Sequence, residues 1–352
     1  MNTKVGIIGC GSISTFHHEG WHRAGAQITH VCDMRLDAAQ AVATRYQAKA
    51  TMDYRVLLAD PEVEIVSICT TSSTHVEICL AAIAAGKGIV CEKTLADNPT
   101  DAAKIARAAQ NAGNFFATAF MKRFFPAAQQ AKALLKDMGD IISIHARSWQ
   151  PWDLWNHPLP ENMVQRPSII RKSYGGGVLV CAGSHILDLL HWISGRPTQV
   201  CGRMHSRDGL DIDILTNAML WFENGAIANF EVCWHPLAFA GYERNGWDER
   251  LEINTTKGRL DFYTVLWNRP TNNGALLVHQ DAVTGHVTEY RYPALNPFDL
   301  EMAEFLKCFL TGSPASPSAW DGYVVDEVIA QIKISAIENR IVSLHWQDRT
   351  SP

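Results

Sequence analysis

The chain has 352 residues, with 31 basic and 36 acidic side chains and a net charge of −5. This length allows two domains with sizeable cores, and the absence of a long basic run argues against nucleic acid as a partner. The apolar stretches fall well short of a membrane span, and the first apolar run starts too early for a signal peptide. Nine scattered cysteines without a CxxC pair indicate reduced thiols in a cytoplasmic protein.

The first third of the chain alternates short apolar runs with helical patterns. The predicted strands are Val5–Ile8, Ile28–Cys32, Ile65–Cys69, Gly88–Cys91 and Phe115–Ala119. The predicted helices between them are Ala38–Tyr46, Val76–Ala85 and Pro99–Asn111. This alternation is typical of a buried parallel sheet with right-handed crossovers. We therefore predict an α/β fold whose residues 1–120 form a doubly wound Rossmann domain.

The remaining residues, 121–352, have longer and more often alternating strand patterns. The predicted strands are Ile141–Trp149, Val200–Ser206, Leu215–Phe222, Ala226–Trp234, Arg250–Asn254 and Leu276–Gln280. A short turn at Glu223-Asn224-Gly225 links two of them and favours an antiparallel pair. A last helix at about Val324–Arg340 precedes a strand at Ile341–Trp346. We predict an open, largely antiparallel sheet with helices on one face, and a homodimer or homotetramer that covers the other face.

A glycine turn follows the first strand directly. Gly9-x-Gly11-x-x-Ser14 is a variant of the dinucleotide fingerprint, in which the glycines allow a tight turn and close approach of the backbone to a pyrophosphate. Ser12 and Ile13 lead into a helix whose amino end attracts phosphate. Asp33 ends the second strand, where it can bind a ribose 2′-hydroxyl and repel a 2′-phosphate. Arg35 could accept such a phosphate, so NAD is favoured over NADP without excluding NADP. The alternative is a Rossmann-like turn that binds no dinucleotide.

Lys93 follows the strand Gly88–Cys91 and the intervening Glu92. Strand alternation places the side chains of Glu92 and Lys93 on opposite faces. An ammonium at the carboxyl edge of the sheet can stabilise negative charge that develops on a substrate oxygen. The alternative is an ordinary surface lysine in a loop.

A triple glycine at residues 175–177 precedes a helical segment that contains Cys181, His185 and Asp188. These three side chains share a face if the helix is regular. His185 suits proton transfer because the reference pKa of histidine is near neutrality. Cys181 and His185 could also bind a metal, but no nearby third ligand completes a set, so no metal site is predicted.

These residues resemble the Gfo/Idh/MocA oxidoreductases, the family of glucose–fructose oxidoreductase and inositol dehydrogenase. The resemblance covers nearly the whole chain. It rests on Gly9-Cys10-Gly11 with His17, Cys69-Thr70 with Thr74-His75, Glu92-Lys93, Lys122-Arg123-Phe124-Phe125-Pro126, the glycine segment with His185, and Trp320-Asp321-Gly322.

The resemblance implies an enzyme that oxidises sugars, polyols or their derivatives, with Lys93 and His185 as the catalytic pair. It adds Thr70, Ser72, His75, Glu92, Lys93 and Arg123 to the expected cofactor site. It also implies that Lys93, Arg123, Cys181, His185 and Asp188 line the substrate pocket.

Three positions depart from the family pattern. Thr94 stands where proline usually follows the lysine, and Thr71 stands where proline often follows the third strand. Cys181 replaces the acid that usually precedes the histidine by four residues. A thiol is a weaker acceptor than a carboxylate and is normally uncharged, so the usual lysine–acid–histidine triad is incomplete.

Three tryptophans, Trp149, Trp152 and Trp155, recur at steps of three among polar residues. Indole rings can stack on the apolar faces of a sugar while Asp153, Asn156 or His157 bind its hydroxyls. We predict that Trp149 and Trp152 bind substrate. A subunit interface, or a loop packed on the core, would have the same pattern.

The sequence therefore predicts an NAD-dependent dehydrogenase acting on a secondary alcohol of a sugar or polyol derivative. A second interpretation is redox-assisted glycoside cleavage, in which the sugar is oxidised transiently and no net NADH forms. A third is a regulatory protein that senses nucleotide without catalysis, although the presence of both Lys93 and His185 argues against it.

Overall fold

The computed structural model describes residues 2–156, 170–172, 175–266 and 274–347, which divide into two units. The first unit contains the chain up to Met121 together with Pro297–Asp326 and Gln347. The second contains Lys122–Asn296 and Glu327–Trp346. The first division falls beside the boundary predicted at residue 120, whereas the later return of the chain to the first unit has no counterpart in that prediction.

The first unit is built on a six-stranded parallel sheet with the strand order β3-β2-β1-β4-β5-β6. Its strands are β1 Lys4–Ile8, β2 Gln27–Cys32, β3 Lys49–Thr51, β4 Ile65–Ile68, β5 Gly88–Glu92 and β6 Phe116–Ala119. Its helices up to Met121 are α1 Ser14–Arg23, α2 Leu36–Tyr46, α3 Tyr54–Ala59, α4 Ser72–Ala84 and α5 Pro99–Ala112. The strand order reverses between β1 and β4, which is where sheets of this kind bind ligands at their carboxyl edge.

A later helix completes this unit. After α6 Pro126–Leu134 and α7 Ser184–Ser194 of the second unit, α8 Pro297–Thr311 packs on α1. The approach is close at Gly20, where an added Cβ would lie 2.8 Å from the side chain of Met302 and 3.1 Å from the carbonyl oxygen of Phe298. The rings of Phe16 and Phe298 stack beside it at 4.7 Å. The interface therefore requires a glycine on α1.

The second unit is built on a nine-stranded sheet with the order β14-β13-β12-β11-β7-β10-β9-β8-β15. Its strands are β7 Ile141–Gln150, β8 Pro197–His205, β9 Leu215–Phe222, β10 Ile227–Trp234, β11 Asp248–Thr255, β12 Gly258–Tyr263, β13 Leu276–Asp281, β14 Val287–Arg291 and β15 Val342–Ser343. Neighbouring strands are antiparallel except for β7 and β10, which are parallel. The sheet is therefore mixed, and the predicted α/β fold class is confirmed.

The two faces of this sheet differ. Alternate residues such as Ile144, Leu251 and Phe230 are fully buried under the helical layer. That layer includes the end of α9 Ala319–Glu338, where Ile332 lies against Gly202. The intervening residues, including His145, Asn217 and Asn229, remain exposed. Among the described helices, none combines the length and hydropathy that crossing a bilayer requires.

Candidate active site

The glycine turn between β1 and α1 is constrained on its inner side and open on its outer side. Gly9 has φ +93°, and an added Cβ would lie 2.8 Å from backbone atoms of Cys69 at the end of β4. At Gly11 an added Cβ would meet no atom within 4 Å, and Gly11 and Ser12 are exposed. Ser14 is buried, and its hydroxyl donates to the carbonyl of Gly11 at 2.7 Å. This turn fits a pyrophosphate, because its shape is fixed from the protein side while its outer surface stays accessible.

The amino end of α1 has no side-chain cap. Ile13 is the residue before the helix and makes no side-chain capping hydrogen bond. The first turn of α1 contains no acidic residue. A helix end of this kind carries partial positive charge from its N–H groups, which favours a bound phosphate.

Asp33 lies just past the carboxyl end of β2 and is fixed by two backbone donors. The N–H of Cys10 donates to Oδ2 at 2.8 Å, and the N–H of Arg35 donates to Oδ1 at 2.8 Å. The Arg35 side chain is 70% exposed, and its Nε lies 4.0 Å from Oδ1. Burial, aided by the Asp33 charge, raises the pKa of the Cys10 thiol to about 12, so this thiol stays neutral. The carboxylate is oriented beside the glycine turn, as a ribose-binding acid requires.

Lys93 is half-buried at the end of β5, and its backbone is held by Glu92. The N–H of Lys93 donates to Glu92 Oε2 at 3.0 Å, while Glu92 Oε1 lies 2.9 Å from His17 Nε2. Ser67 Oγ lies 2.9 Å from His17 Nδ1 and accepts from the indole N–H of Trp21 at 2.9 Å. Burial alone would raise the pKa of Glu92, but the hydrogen bond and charge of His17 outweigh it and lower that pKa. Glu92 therefore stays ionised.

The residues after Lys93 are held by two further buried groups. His75 on α4 lies with Nδ1 3.0 Å from the carbonyl oxygen of Thr94 and Nε2 3.2 Å from that of Thr70. Burial lowers the pKa of His75, against the effect of these carbonyls. The N–H of Ala96 donates to Asp326 on α9 at 2.8 Å. The Lys93–Thr94 peptide bond is cis. The segment that carries Lys93 is thus tied to His75 on α4 and to Asp326, which lies in the part of α9 that belongs to the same unit.

Two other predicted cofactor residues lie near the end of β4. Thr70 is half-buried, and its hydroxyl accepts from that of Thr74 at 2.8 Å. Ser72 opens α4 and donates to Asp97, in the loop after β5. The structure therefore brings the cofactor residues predicted in the first unit to one edge of its sheet, where the carboxyl ends of β1, β2, β4 and β5 lie. Arg123 alone belongs to the second unit.

The segment before His185 is not a regular α-helix. Residues Leu179–Gly183 form a π-helical turn, and α7 starts at Ser184. The shared face predicted for Cys181 and His185 assumed a regular helix, and this condition is not met. Both residues are half-buried, Cys181 in the π-helical turn and His185 in the first turn of α7. Interruptions of this type are frequent at functional sites.

Asp213 anchors this turn and is a residue that the sequence analysis missed. Its Oδ2 accepts from the N–H of Leu179 at 2.9 Å and from the hydroxyl of Thr216 at 2.7 Å. Gly177 has φ +111°, and an added Cβ would lie 2.3 Å from Asp213 Oδ1. Burial raises the pKa of Asp213, and its hydrogen bonds act in the opposite direction. The sequence did contain a signal for a buried functional acid at this position, because Asp213 is flanked by the apolar residues Ile212 and Ile214.

Arg123 and Asp188 form a buried pair within the second unit. Arg123 Nε donates to Asp188 Oδ2 at 2.8 Å, and Nη2 donates to Oδ1 at 2.6 Å. Their side chains are only 2% and 0% exposed. Both residues were predicted to bind ligand, and in this structure their charges are directed at each other.

A second buried ion pair lies one residue earlier. Lys122 pairs with Glu249 on β11, and both side chains are almost completely buried. Glu249 also accepts from the hydroxyls of Ser148 and Thr264. Burial would raise the pKa of Glu249, but the Lys122 charge outweighs it and lowers that pKa. These bonds fix Lys122 and the start of the 3₁₀ turn Met121–Phe124.

The tryptophan segment packs largely on its own unit. The Trp152 and Trp234 rings lie 5.5 Å apart, and the Trp155 indole N–H donates to the carbonyl of Trp234. Trp149 is half-buried, and its indole nitrogen has no hydrogen-bond partner within the described part of the chain. Asp153 accepts from the backbone N–H groups of Trp155 and Asn156. His157 lies outside the described residues.

Comparison with known proteins identifies the class. A sequence model described as an oxidoreductase family with an NAD-binding Rossmann fold matches residues 3–120. A second, described as the GFO/IDH/MocA C-terminal domain, matches residues 128–261. The chain belongs to the Gfo/Idh/MocA oxidoreductase family, so the predicted family is confirmed. It is an oxidoreductase with an NAD-binding Rossmann domain.

Individual relatives are distant but cover most of the chain. Inositol 2-dehydrogenase of Salmonella paratyphi B is 23% identical over 332 residues, which is 92% of this chain and 91% of that protein. Inositol 2-dehydrogenase of Acidothermus cellulolyticus is 27% identical over 342 residues, covering 92% and 89%. A structure of levoglucosan dehydrogenase in complex with NADH and levoglucosan has a TM-score of 0.84 at 24% identity, covering 97% of this chain and 99% of that chain. The structural likeness supports the fold.

Proposed function

We propose that the protein is an NAD-dependent dehydrogenase that oxidises a secondary hydroxyl of a sugar, a polyol or a sugar derivative, or reduces the corresponding ketone. The observation that carries this proposal is a lysine held at the carboxyl end of β5, in the unit that also holds the glycine turn and Asp33. The names of its relatives support the substrate class, because inositol is a polyol and levoglucosan is an anhydrosugar.

In this proposal Lys93 and His185 serve the same reaction. The Lys93 ammonium donates a hydrogen bond to the substrate oxygen and stabilises its developing negative charge. His185 accepts the hydroxyl proton as general base. When bound, NAD⁺ supplies the hydride acceptor. Gly9, Gly11 and the amino end of α1 would hold its pyrophosphate, and Asp33 would hold a ribose hydroxyl.

Cys181 is the position at which the proposed chemistry departs from the family pattern. A thiol is a weaker hydrogen-bond acceptor than a carboxylate, so Cys181 cannot assist His185 as the usual acid would. His185 therefore acts without an acid at the position four residues before it. Trp149 is not part of this proposed chemistry, because its side chain lies with that of Arg147 on the face of β7 opposite the helical layer, and the Arg147 guanidinium carbon is 5.3 Å from its ring centre.

The proposal is tested by measuring NADH absorbance with a panel of polyols and sugars, beginning with myo-inositol, levoglucosan and common aldopyranoses. We expect turnover of at least one compound by the wild-type protein. Absence of turnover across the panel in both directions, by a protein that still binds NAD, would refute the proposed function.

We propose that NAD is preferred over NADP because the Asp33 carboxylate, which two backbone N–H groups hold beside the glycine turn, would repel a 2′-phosphate. Replacing Asp33 by serine removes this charge and is expected to lower kcat/KM for NAD by about 10- to 100-fold, since hydrogen bonds to charged groups contribute roughly 1.5–3 kcal/mol. The same change is expected to raise kcat/KM for NADP, which Arg35 can then bind. Steady-state kinetics with both cofactors measures this, and adding Arg35→Ala to Asp33→Ser should abolish the gain. An Asp33→Ser variant with unchanged cofactor preference would contradict the assignment.

A second candidate is redox-assisted glycoside hydrolysis, which the replacement at Cys181 favours because it alters the expected proton relay. In that reaction the sugar is oxidised, loses its aglycone by elimination, gains water and is reduced again. A chromogenic glycoside would be split with NAD present while net NADH stays absent. Release of chromophore together with stoichiometric NADH would instead support the dehydrogenase.

We also propose that the exposed face of the nine-stranded sheet is a homodimer or homotetramer interface. Met219 and Ile227 are 38% and 36% exposed near the middle of this face. A depression of about 400 Å³ lies there, and basic and acidic side chains such as Arg203 and Glu231 line it together. A surface with both charge signs and exposed apolar groups can pair with its own copy.

Replacing Met219 by lysine is expected to shift the protein towards monomers, because it replaces an exposed apolar group of that interface with a charge. Light scattering coupled to size-exclusion chromatography at several protein concentrations measures the mass. Lys257→Met, a change outside the depression, is the control and should leave the mass unchanged. A wild-type protein that is monomeric at all concentrations would refute this interface.

A further inference from the structure

The Arg123–Asp188 pair has the geometry of a structural clamp. Two parallel hydrogen bonds of 2.8 and 2.6 Å join the guanidinium to both carboxylate oxygens. Both side chains are almost fully buried. Such fork-to-fork pairs fix orientation as well as distance, because the two planar groups must stay aligned.

Each end of this pair is attached to a defined element. Arg123 lies in the 3₁₀ turn beside Lys122, whose ion pair reaches Glu249 on β11. The carbonyl of Arg123 accepts from the side-chain amide of Gln129 on α6 at 2.6 Å. The backbone of Arg123 is therefore held by the ion pair of the preceding residue and by the hydrogen bond to its own carbonyl, independently of its pair with Asp188.

Asp188 lies on α7 three residues after His185, so the two side chains are neighbours on the helix surface. The Arg123 guanidinium carbon also lies 5.6 Å from the centre of the Trp192 ring, one further turn along α7. Two successive turns of the helix that carries His185 therefore contact the same guanidinium group.

We propose that Arg123 is a positioning residue that acts through Asp188 to fix α7, and with it His185, rather than a residue that binds the sugar or the cofactor. This inference rests on the proposed function, in which His185 is the base. Since a misplacement of about 1 Å can lower the rate about 100-fold, a loosened α7 would reduce kcat more than substrate affinity.

The test compares Arg123→Lys, Asp188→Asn and the double variant with the wild type in a full holoenzyme assay. Each single change is expected to lower kcat by about 10- to 100-fold, with KM for the sugar and the dissociation constant of NAD within about threefold of wild type. The double variant should lose no more than the worse single variant, because both changes break one interaction. The pH profile of kcat should move in the same direction in both single variants.

Arg259→Lys is the matched control. Arg259 also forms a two-bond pair, with Asp261 at 2.9 and 2.7 Å, but it lies on β12. We expect its kcat and pH profile to stay at the wild-type values. If Arg123→Lys fails to fold, as judged by circular dichroism, Asp188→Asn decides the question, since asparagine keeps the shape and one acceptor.

A ligand-binding role has a different signature. It would raise KM or the dissociation constant of NAD tenfold or more in Arg123→Lys, with kcat preserved and no equivalent change in Asp188→Asn, and this result would overturn the proposal. If the wild type turns over no sugar, the proposed function fails separately. The positioning role of Arg123 is then tested by titrating the imidazole of His185 in nitrogen-15-labelled protein. It should change in both variants and not in Arg259→Lys, and an unchanged titration would overturn the proposal.

Discussion

Replacing Lys93 by methionine should lower kcat by about 10³-fold while the dissociation constant of NAD changes by less than about threefold. Methionine keeps most of the length and apolar volume of the side chain but removes the ammonium group. Loss of one preorganised donor to a developing oxyanion typically costs 10²–10³ in rate. The effect should be confined to chemistry, because the hydrogen bond from the Lys93 backbone to Glu92 does not depend on the side chain.

The measurement is steady-state kinetics on the identified sugar, combined with NAD titration by fluorescence. Lys104→Met is the matched control, since Lys104 is an exposed lysine on α5 of the same unit. It should retain wild-type kcat. A Lys93→Met variant that keeps more than a third of the wild-type kcat would contradict a catalytic role for Lys93.

Replacing His185 by glutamine should lower kcat at pH 7 by about 10²-fold or more, because general base catalysis typically contributes 10²–10⁴. Glutamine keeps a polar side chain of similar reach but cannot take a proton. Hydroxide should partly replace the missing base, so the rate of the variant is expected to rise with pH after that of the wild type has levelled off.

His191→Gln provides the control, because His191 lies on the same helix and its Nδ1 is 3.2 Å from the carbonyl of Gly195. We expect it to keep the wild-type pH profile. Equal losses in the two variants would indicate damage to α7 in general and would count against His185 as the base.

The parallel half of the fold was largely accessible from sequence because five of its six strands are short, mostly buried apolar runs. The strand Lys49–Thr51 was missed, since it is neither apolar nor buried. In the second unit Leu215–Phe222 was predicted with its observed limits, since its residues alternate between the two faces. The strand Val287–Arg291 was missed because most of its side chains are exposed and it has no apolar alternation. Helix α8 was also missed, although Phe298, Met302 and Phe305 have helical spacing.

The glycine turn, Asp33, Arg35 and Lys93 could be placed from one rule, that carboxyl ends of parallel strands share an edge. The other cofactor residues were expected from the family resemblance alone. Their partners did not follow. Glu92 meets a histidine 75 residues away, and Arg123 meets Asp188 across 65 residues, so neither contact has a local signal. The π-helical turn before His185 could not be predicted from the sequence either, because a helical pattern does not show where one extra residue enters a turn.

The packing of α8 against Gly20 also bears on biosynthesis. A ribosome must polymerise nearly three hundred residues before Phe298 and Met302 exist to cover α1. Until then the nascent first unit lacks the cover that α8 gives to Phe16 and Gly20, and exposed apolar surface of this kind makes partly folded chains prone to aggregate. A gene fragment ending near codon 120 should therefore yield an aggregation-prone product, whereas grafting α8 onto that fragment through a short linker should restore its solubility.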